Sequence, residues 1–285
     1  MKPKKTPHKT PHPPVPATLK WAGWTDTGRV RKNNEDAFLG LRFDARDVHR
    51  LGKFGQADLA RHHFTFAVCD GMGGAQAGEY ASEIAVDKIT TLLPCAFPRR
   101  ARTRQPGYAE TLTELFTQIH HALAYLGDCY EECHGMQTTM SLCWFTPGWM
   151  YFGHVGDSRI YHLPRGANAL CQLTEDDTHV GWLFRNGKIN EREARQHPRR
   201  NVLQKALGGG NQFVTPQTGA VACAPGDIFL LCTDGLTEGL YDHSVAELLR
   251  ETAAAGDAAA AHTLVTAAVR NDGRDNTTAL VVQVV

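Results

Sequence analysis

The chain has 285 residues, of which 42% are hydrophobic and 21% charged, ordinary values for a globular protein that exclude disorder throughout. Its 30 basic and 30 acidic residues cancel, so no net charge draws the whole protein to nucleic acid or to an anionic membrane. No apolar run approaches the roughly 20 residues that span a bilayer, so we expect no membrane-spanning helix.

The first segment is a tail rich in Pro and Lys. Up to residue 18 it carries six Pro, four Lys and no acid, a composition that buries little apolar surface and favours extended conformations. It also lacks the apolar core of a secretory signal. No Pro-, Gly- or Ser-rich linker divides the rest of the chain. The sequence therefore predicts a disordered tail over residues 1–20 and one globular domain over residues 21–285.

The first half of the domain has clear patterns for one strand and two helices. Phe64–Cys69 is a short apolar run that predicts a buried strand ending at an acid. Apolar residues at helical spacing predict a helix over Glu79–Leu93, which we expect to stop at Pro94. Pro94–Gly107 carries four Arg and predicts a solvated loop, and Tyr108–Leu126 predicts the second helix.

Strands cluster in the middle of the chain, and Pro147-Gly148 predicts a tight hairpin between the first two of them. The predicted strands are Thr138–Phe145, Trp149–Val155, Arg159–Leu163 and Leu170–Leu173. Asp176–Leu207 follows with helical pieces. One of these begins at Asn190, with Glu193 three residues later, which is the spacing of a capping box.

The last third of the chain adds two strands and two helices. We predict strands over Asp227–Cys232 and Thr277–Val285, a helix capped by Ser244-x-x-Glu247, and a helix over Ala258–Val269. Grouped strands and paired helices indicate an α+β fold rather than strict βαβ alternation.

Acids recur beside Gly turns and at the ends of predicted strands. Four such motifs are Asp70-Gly71, Gly156-Asp157, Asp234-Gly235 and Asp275-Asn276, and a fifth pair of acids, Glu35-Asp36, lies near the start of the domain. Gathered carboxylates repel one another unless cations neutralise them, and hard oxygen ligands without organised Cys or His select Mg²⁺ or Mn²⁺. A single Asp-Gly pair is more often a simple turn, so the prediction of a metal site depends on all five together.

In this order the motifs resemble those of the metal-dependent serine/threonine protein phosphatases of type 2C, in the bacterial branch of that family. The similar segments include TDTGRVRKNNEDAF (25–38), FAVCDGMGGAQAGEYAS (66–82), GHVGDSRIYHL (153–163), LLCTDGLTE (230–238) and GRDNTTALVV (273–282), with shorter matches at 135–140, 173–180 and 197–208. The resemblance implies a sandwich of two antiparallel β-sheets flanked by helices, in α/β/β/α layers, with a binuclear metal site at one end.

The resemblance also implies which residues hold the metal ions. Asp70 matches the carboxylate that bridges both ions, and the Gly71 carbonyl matches a ligand of one of them. Asp234 and Asp275 match ligands of the other ion. Asp157 matches the ligand of a third, weaker ion found in bacterial members.

Three further residues complete the implied site. Glu35, with Asp36 beside it, matches the acid that holds metal-bound water. Arg31 matches the arginine that grips the substrate phosphate, and its planar guanidinium can bind phosphate bidentately, which Lys cannot copy. The predicted catalytic residues are thus Arg31, Asp70 and Asp234, and the predicted cofactor is Mn²⁺ or Mg²⁺.

The implied reaction is hydrolysis of phosphoserine and phosphothreonine in proteins by a metal-bound hydroxide, which reverses a serine/threonine kinase. Two alternatives stay open: a non-enzymatic sensor or scaffold that keeps the fold, and a phosphatase of small phosphoesters. Residues 174–207 match a mobile flap beside the site in bacterial members, which we expect to govern the docking of phosphoproteins.

Two positions depart from the pattern of the family. Met72 stands where animal-type members have a His assigned as general acid, and Ala75 stands where many bacterial members have a His. Neither side chain can donate a proton, so the donor to the leaving Ser or Thr stays open.

The cysteines bear on the cellular location. Eight Cys are scattered without a Cys-x-x-Cys pair, which favours a reduced, cytoplasmic protein. The sequence ends at Val285, after the last predicted strand, whereas many bacterial members continue into a membrane anchor, so we expect no membrane attachment. We also expect a monomer that binds no nucleic acid, with phosphoprotein substrates and a cognate serine/threonine kinase as its partners.

Overall fold

Apolar strands pair into two antiparallel β-sheets that pack face to face. This computed structural model describes residues 17–44, 46–60, 62–100, 107–210, 213–255 and 259–285. Several central strands are buried along almost their whole length. They are apolar throughout because each sheet packs against the other sheet on one face and against helices on the opposite face.

The first sheet has six strands, paired antiparallel throughout. In spatial order they are β10 (Cys171–Gln172), β9 (Arg159–Leu163), β13 (Ile228–Cys232), β14 (Thr277–Val284), β1 (Thr18–Asp26) and β4 (Phe54–Asp58). The first and last strands of the domain, β1 and β14, are neighbours, with Asp26 opposite Thr277. Their pairing brings the loop that follows β1 beside the loop that precedes β14.

The second sheet contains β11 (Leu207–Gly208), β6 (Gln137–Thr138), β5 (His63–Met72), β7 (Met140–Thr146), β8 (Trp149–Val155) and β12 (Gln217–Ala222) in spatial order. In addition, β2 (Asp36–Phe43) pairs with β5 and with the short β3 (Val48–Arg50). The register of β2 and β5 places Asp36 opposite Asp70.

Aromatic side chains fill the space between the sheets, among them Trp21, Phe66, Phe145 and Phe229. Helices cover both outer faces: α1 (Ala75–Arg100) and α2 (Tyr108–Cys129) pack on the second sheet, and α5 (Asp234–Gly239), α6 (Asp242–Ala255) and α7 (Ala260–Asn271) pack on the first. A 3₁₀ turn, Glu131–Cys133, follows α2. The resulting α/β/β/α layers confirm the predicted α+β sandwich.

Residues 174–207, which we call the flap, contain the short helices α3 (His179–Arg185) and α4 (Glu191–Gln196). Asn190 caps α4 as predicted. Its side chain accepts a hydrogen bond from the Glu193 backbone N–H at 2.9 Å, and the Glu193 carboxylate accepts one from the Asn190 N–H at 2.7 Å.

The predicted end of the N-terminal tail is wrong by three residues. The strand β1 begins at Thr18, inside the predicted tail of residues 1–20. Leu19 is fully buried between the sheets, and it lies opposite Ala57 on one side and Val284 on the other. This burial and pairing outweigh the polar composition that precedes it. Residues 1–16 lie outside the described residues.

Two helix boundaries also differ from the prediction. The helix α1 continues through Pro94 to Arg100, because the buried Ile89 and Leu93 pack against α2 and the second sheet, and this packing outweighs the roughly 3 kcal/mol cost of an interior proline. The helix α6 begins at Asp242, two residues before the predicted cap at Ser244. An acid in the first turn suits the positive end of the helix dipole.

The predicted hairpin is confirmed. Pro147-Gly148 connects β7 to β8, and Gly148 adopts a φ of 80°, which favours glycine at this turn. The strands β8 and β9 have the predicted bounds. In the described part of the chain, no helix has both the length and the apolar character needed to cross a membrane.

The placement of Leu19 in the core gives a test of the domain boundary. We expect Leu19→Ala to lower the free energy of unfolding by about 2–5 kcal/mol, because it removes a fully buried side chain. The control, Gln56→Ala on the exposed position opposite Lys20 in β4, should change it by less than about 0.5 kcal/mol. Urea denaturation measures both. Equal effects of the two substitutions would show that Leu19 is not part of the folded core.

Candidate active site

Carboxylates meet at one end of the sandwich, where strands of both sheets begin or end. Asp70 lies near the end of strand β5, opposite Asp36 at the start of β2. Asp234 begins α5 after β13, Asp275 precedes β14, and Asp157 lies in the turn between β8 and β9. Burial raises the pKa of Asp70 well above its ordinary range, and the charges of the other four acids raise it further. The structure therefore brings together acids from five separate segments.

The backbone of Asp70 is fixed by two threonines, one at the end of β6 and one between β6 and β7. Thr139 donates its N–H to the Asp70 carbonyl at 2.8 Å, and its hydroxyl accepts the Asp70 N–H at 3.0 Å. Thr138 donates its hydroxyl to the same carbonyl at 2.9 Å. The hydroxyls of Thr139 and Ser158 lie 2.7 Å apart, which ties the Asp70 segment to the turn that carries Asp157. The sequence predicted one unbroken strand over Thr138–Phe145. In the structure the strand is interrupted at Thr139, and this residue binds the backbone of Asp70.

Asp36 is buried, and its two carboxylate oxygens have different surroundings. Oδ2 accepts the hydroxyls of Thr233 at 2.8 Å and Thr278 at 2.7 Å. Oδ1 is buried and has no hydrogen-bond partner among the described residues. Burial raises the pKa of Asp36 to about 7, against the lowering effect of these two hydroxyls. Asp36 therefore offers a fixed carboxylate with one free oxygen.

Asp234 has the same feature. Its Oδ1 is buried without a hydrogen-bond partner in the described part of the chain. Burial raises the pKa of Asp234 well above its ordinary range, and the charges of Asp157 and Asp275 add to this. A buried polar atom is normally satisfied by a hydrogen bond, so two orphaned carboxylate oxygens in one cluster point to a missing positive partner.

Glu35 and Gly71 lie against each other at the edge of the cluster. The Gly71 N–H donates to the Glu35 carbonyl at 3.1 Å. A Cβ on Gly71 would collide with the backbone of Gly78, so glycine is required for this close packing. Burial raises the pKa of Glu35, and the nearby Arg31 charge opposes that shift.

Asn276 joins the loop after β1 to the loop before β14. Its Oδ1 accepts the Glu35 N–H at 2.8 Å, and its Nδ2 donates to the carbonyls of Thr27 and Asn33, both at 3.0 Å. The side chain thus fixes the segment that carries Arg31 and Glu35 against the segment that carries Asp275.

Arg31 reaches the same cluster from its rim. Its Nη2 donates to Asp275 Oδ2 at 2.8 Å, and about half of its side chain is exposed (51%). The hydrogen bond to Asp275 raises the pKa of Arg31. An exposed guanidinium beside buried carboxylates has donors available for an anion that approaches from solvent.

Asp157 lies on the side of the cluster that faces the flap. Burial raises its pKa to about 7; the Asp176 charge raises it and the Arg159 charge lowers it. Arg159 binds Asp176 through two hydrogen bonds of 2.9 and 2.7 Å, and donates to the Tyr161 hydroxyl at 2.8 Å. Arg159 is therefore engaged in an ion pair with Asp176.

The donor set fits hard divalent cations. Among the described residues, no three His, Cys, Asp or Glu side chains already converge as ligands of a single ion. Mg²⁺ keeps several of its waters and takes only one or two carboxylates, and Mn²⁺ shares its preference for oxygen ligands, so such ions would need no tighter cage. The orphaned oxygens of Asp36 and Asp234 and the absence of organised sulfur ligands agree with this chemistry.

A cavity of about 610 Å³ adjoins the cluster. Asp157 and Asp234 line it on the side of the cluster, and Val180, Phe184 and Ala194 of the flap line it on the other side. Phe184 is half exposed. The cavity therefore separates the flap from two of the clustered acids.

Met72 and Ala75, the two positions that depart from the family pattern, have no imidazole beside them in the sequence that could donate a proton. Met72 is half-buried and pairs with Gln137, and the side chain of Ala75 is outside the described set. His154 is fully buried, with its ring nitrogens on the Ser141 hydroxyl at 2.8 Å and the Gly156 carbonyl at 3.0 Å. His154 therefore supports the turn beside Asp157.

Several residues that hold the acids were missed in the sequence. They are Thr138, Thr139, Ser158, Asp177, Thr233 and Thr278. The only local signal is a hydroxyl within two residues of three of the five acid motifs, as at Ser158, Thr233 and Thr278, and Ser and Thr are too common for that signal to be specific. Their partners are distant in sequence, 197 residues apart for Thr233 and Asp36.

The protein phosphatase 2C family matches residues 53–269. The chain belongs to this family. It is 32% identical over 275 residues to the serine/threonine protein phosphatase PstP of Mycobacterium tuberculosis, which covers 95% of this chain and 46% of PstP. It is also 32% identical over 260 residues to the serine/threonine phosphatase stp of Listeria monocytogenes, over 91% of this chain and 93% of that protein.

Solved structures of protein phosphatase 2C relatives share this fold. The catalytic domain of PstP, in complex with two manganese ions, superposes with a TM-score of 0.72 and 30% identity, over 94% of this chain and 99% of that one. The chain spans about half the length of full PstP. The predicted resemblance to bacterial type-2C phosphatases is confirmed.

The raised carboxyl pKa values predict how pH affects the metal-free protein. Asp36 keeps its proton in the folded state up to about pH 7, whereas the unfolded chain loses it near 3.8. The folded state therefore binds more protons over this range, and its stability falls as the pH rises through about 7. We expect the difference in melting temperature, wild type minus Asp36→Asn in chelator, to decrease as the pH rises from 5 to 8.

The comparison with Asp36→Asn cancels the titration of the histidines, which both proteins share. Added Mn²⁺ should raise the wild-type melting temperature more at pH 8 than at pH 6, because cations and protons compete for the same carboxylates. A difference between the two proteins that stays constant with pH would contradict the assignment of a raised pKa to Asp36.

Proposed function

We propose that this chain hydrolyses phosphoserine and phosphothreonine in proteins with the help of bound Mn²⁺ or Mg²⁺. The observation that carries the proposal is the cluster of buried acids around Asp70, two of which have orphaned oxygens, in a chain of the protein phosphatase 2C family. The named serine/threonine phosphatases among its relatives support the substrate class.

The family resemblance assigns the acids to separate ions. Asp70 and the Gly71 carbonyl, with Asp234 and Asp275, would hold two ions, and Asp157 would hold a third. When bound, such ions supply an activated water and neutralise charge on the phosphoryl oxygens. The two manganese ions in the PstP complex support this assignment.

Glu35 and Asp36 are the acids best placed to orient water beside the ions. Asp36 is held through Oδ2 by two hydroxyls, which leaves Oδ1 free to accept a hydrogen bond in a fixed direction. The Glu35 carboxylate packs beside Gly78, and its backbone is fixed by Asn276. Both acids therefore act as acceptors whose positions are set before substrate arrives.

Arg31 binds and orients the substrate phosphate. Its guanidinium is half exposed and next to Asp275, so a phosphate seated on the cluster meets a planar donor at the rim. The phosphate contact exists before and during the reaction, so it contributes to substrate affinity as well as to orientation.

A sensor or scaffold without turnover, the alternative left open by the sequence, would tolerate loss of one of these acids. Every predicted acid is present and lies in the cluster, which favours the enzyme. The pairing with a cognate kinase, the monomeric state and the cytoplasmic location stay predictions.

Removal of metal tests the reaction directly. We expect phosphate release from a phosphothreonine peptide to stop in excess chelator and to return with Mn²⁺ or Mg²⁺ but poorly with Ca²⁺, which is larger and tolerates irregular geometry. Asp234→Asn should lower kcat by at least ~10³-fold, since it removes part of the charge that holds the ions. The same substitution at exposed Asp87 is the control. Full turnover after dialysis against chelator would refute the proposal.

Replacement of Arg31 tests the phosphate contact. We expect Arg31→Ala to raise KM for a phosphothreonine peptide about tenfold or more and to change kcat less, since the contact is present in the ground state. Arg31→Lys should recover only part of the loss because it lacks the planar fork. Lys32→Ala, on the exposed neighbour, should leave KM unchanged. An unchanged KM in Arg31→Ala would exclude this role.

A further inference from the structure

The two ends of the flap meet at one residue, Asp177. The Gln204 N–H donates to the Asp177 carbonyl at 2.7 Å, and Lys205 Nζ donates to Asp177 Oδ1 at 2.9 Å. The next residue, Thr178, forms a β-bridge with Leu203. The Asp177 side chain is only 9% exposed, whereas that of Lys205 is 45% exposed. Asp177 therefore closes the base of the flap.

Asp177 also forms two hydrogen bonds with Gly156, the residue before Asp157. The Asp177 N–H donates to the Gly156 carbonyl at 2.7 Å, and the Gly156 N–H donates to Asp177 Oδ2 at 3.1 Å. The two carboxylate oxygens of Asp177 thus have separate partners: Oδ1 faces the end of the flap and Oδ2 faces the catalytic turn. Gln217 Nε2 also approaches Oδ1, at 3.5 Å.

The backbone of Gly156 has little freedom to move away from these two hydrogen bonds with Asp177. Its φ is 114°, and a Cβ would collide with Thr139, so the position requires glycine. Its carbonyl also lies 3.0 Å from His154 Nε2. A shift of Asp177 therefore passes directly to the backbone of Asp157.

The far part of the flap binds the helix that begins with Asp234. Arg195 donates to the carbonyls of Thr237 at 2.6 Å and Leu240 at 3.0 Å, and its guanidinium lies over the ring of Tyr241 at 3.9 Å. Arg200 pairs with Glu238 at 3.0 Å. The flap thus contacts the segments of two cluster acids, and its base at Asp177 is the tighter contact because it includes the backbone on both sides.

We propose that Asp177 is a positioning residue that couples the flap to the Asp157 turn. Through Oδ2 and its N–H it holds Asp157 in place for turnover of every substrate, and through Oδ1 and Lys205 it holds the flap in place for substrates large enough to contact it. This inference rests on the proposed phosphatase function.

Three variants separate the two contacts. Lys205→Met removes only the ion pair with the flap. Asp177→Asn keeps an oxygen that can accept the Gly156 N–H and loses the charge that faces Lys205. Asp177→Ala removes both contacts. Lys188→Met, on an exposed lysine of the same flap, is the matched control.

Kinetics with a phosphothreonine protein and with p-nitrophenyl phosphate give the first measurement. We expect Lys205→Met to raise KM for the phosphoprotein about fivefold or more, with kcat on the aryl phosphate within about twofold of wild type. Asp177→Asn should raise this KM to a similar extent and lower kcat on the aryl phosphate less than Asp177→Ala does. Asp177→Ala should in addition lower kcat on the aryl phosphate by about 10- to 100-fold, the usual effect of removing a group that orients a metal-ligating residue. The control should match wild type on both substrates.

Hydrogen exchange of the same proteins in chelator gives a second measurement that does not depend on activity. Peptides covering 154–158 should exchange faster in Asp177→Ala and at the wild-type rate in Lys205→Met, whereas peptides covering 200–207 should exchange faster in both. Equal losses of activity on both substrates in all three variants, with faster exchange throughout the chain, would show that Asp177 only stabilises the fold. That result would overturn the proposal.

The two measurements distinguish failure of this inference from failure of the proposed function. A wild-type protein with no phosphatase activity on either substrate would refute the phosphatase function whatever the exchange rates, and the coupling to turnover would fall with it. An active wild type whose Asp177→Ala variant keeps full kcat on the aryl phosphate, despite faster exchange at 154–158, would refute the positioning role alone.

Discussion

Mutual repulsion among buried carboxylates is the constraint on which the rest of this structure depends. Asp70 and four acids from other segments meet here, and burial and their shared charge raise the pKa of several of them. Such a cluster opposes folding of the metal-free chain at neutral pH. The two sheets and the three apolar layers that they bury therefore supply the stability that keeps these acids together until cations neutralise them.

The groups that hold the acids are mostly neutral. Threonine hydroxyls bind Asp36, backbone and hydroxyl groups of Thr139 bind Asp70, and the amide of Asn276 fixes the Glu35 segment. Neutral donors fix the position of a carboxylate without cancelling its charge, whereas a buried Lys or Arg would compete with a metal ion. Arg31 is the cation found at the rim, and its half-exposed position suits the binding of an anion from solvent.

The flap belongs to the same network as the acids. Its base is bonded to the Gly156 peptide through Asp177, and its second helix is bonded to the carbonyls of α5 through Arg195. The cavity between the flap and the cluster is lined by Asp157 and Asp234. Any molecule that contacts the flap would therefore contact a segment with direct hydrogen bonds to the turn that carries Asp157.

The sequence by itself determined the local features and the chemical class of the site. Apolar periodicity predicted β8, β9 and most of α2, the Asn190 spacing predicted a capping box, and the repeated acid motifs predicted a centre of hard oxygen ligands. Tertiary structure alone decided the features that depend on distant partners. Packing extends α1 past Pro94, where the local sequence predicts an end. Packing also places Leu19 in the core, although the local composition predicts a tail. Pairing across 197 residues joined Thr233 to Asp36, and the fold joined both ends of the flap at Asp177. A hydroxyl or carboxyl group has no local signature of its partner, because that partner is selected only when the sheets and helices have packed.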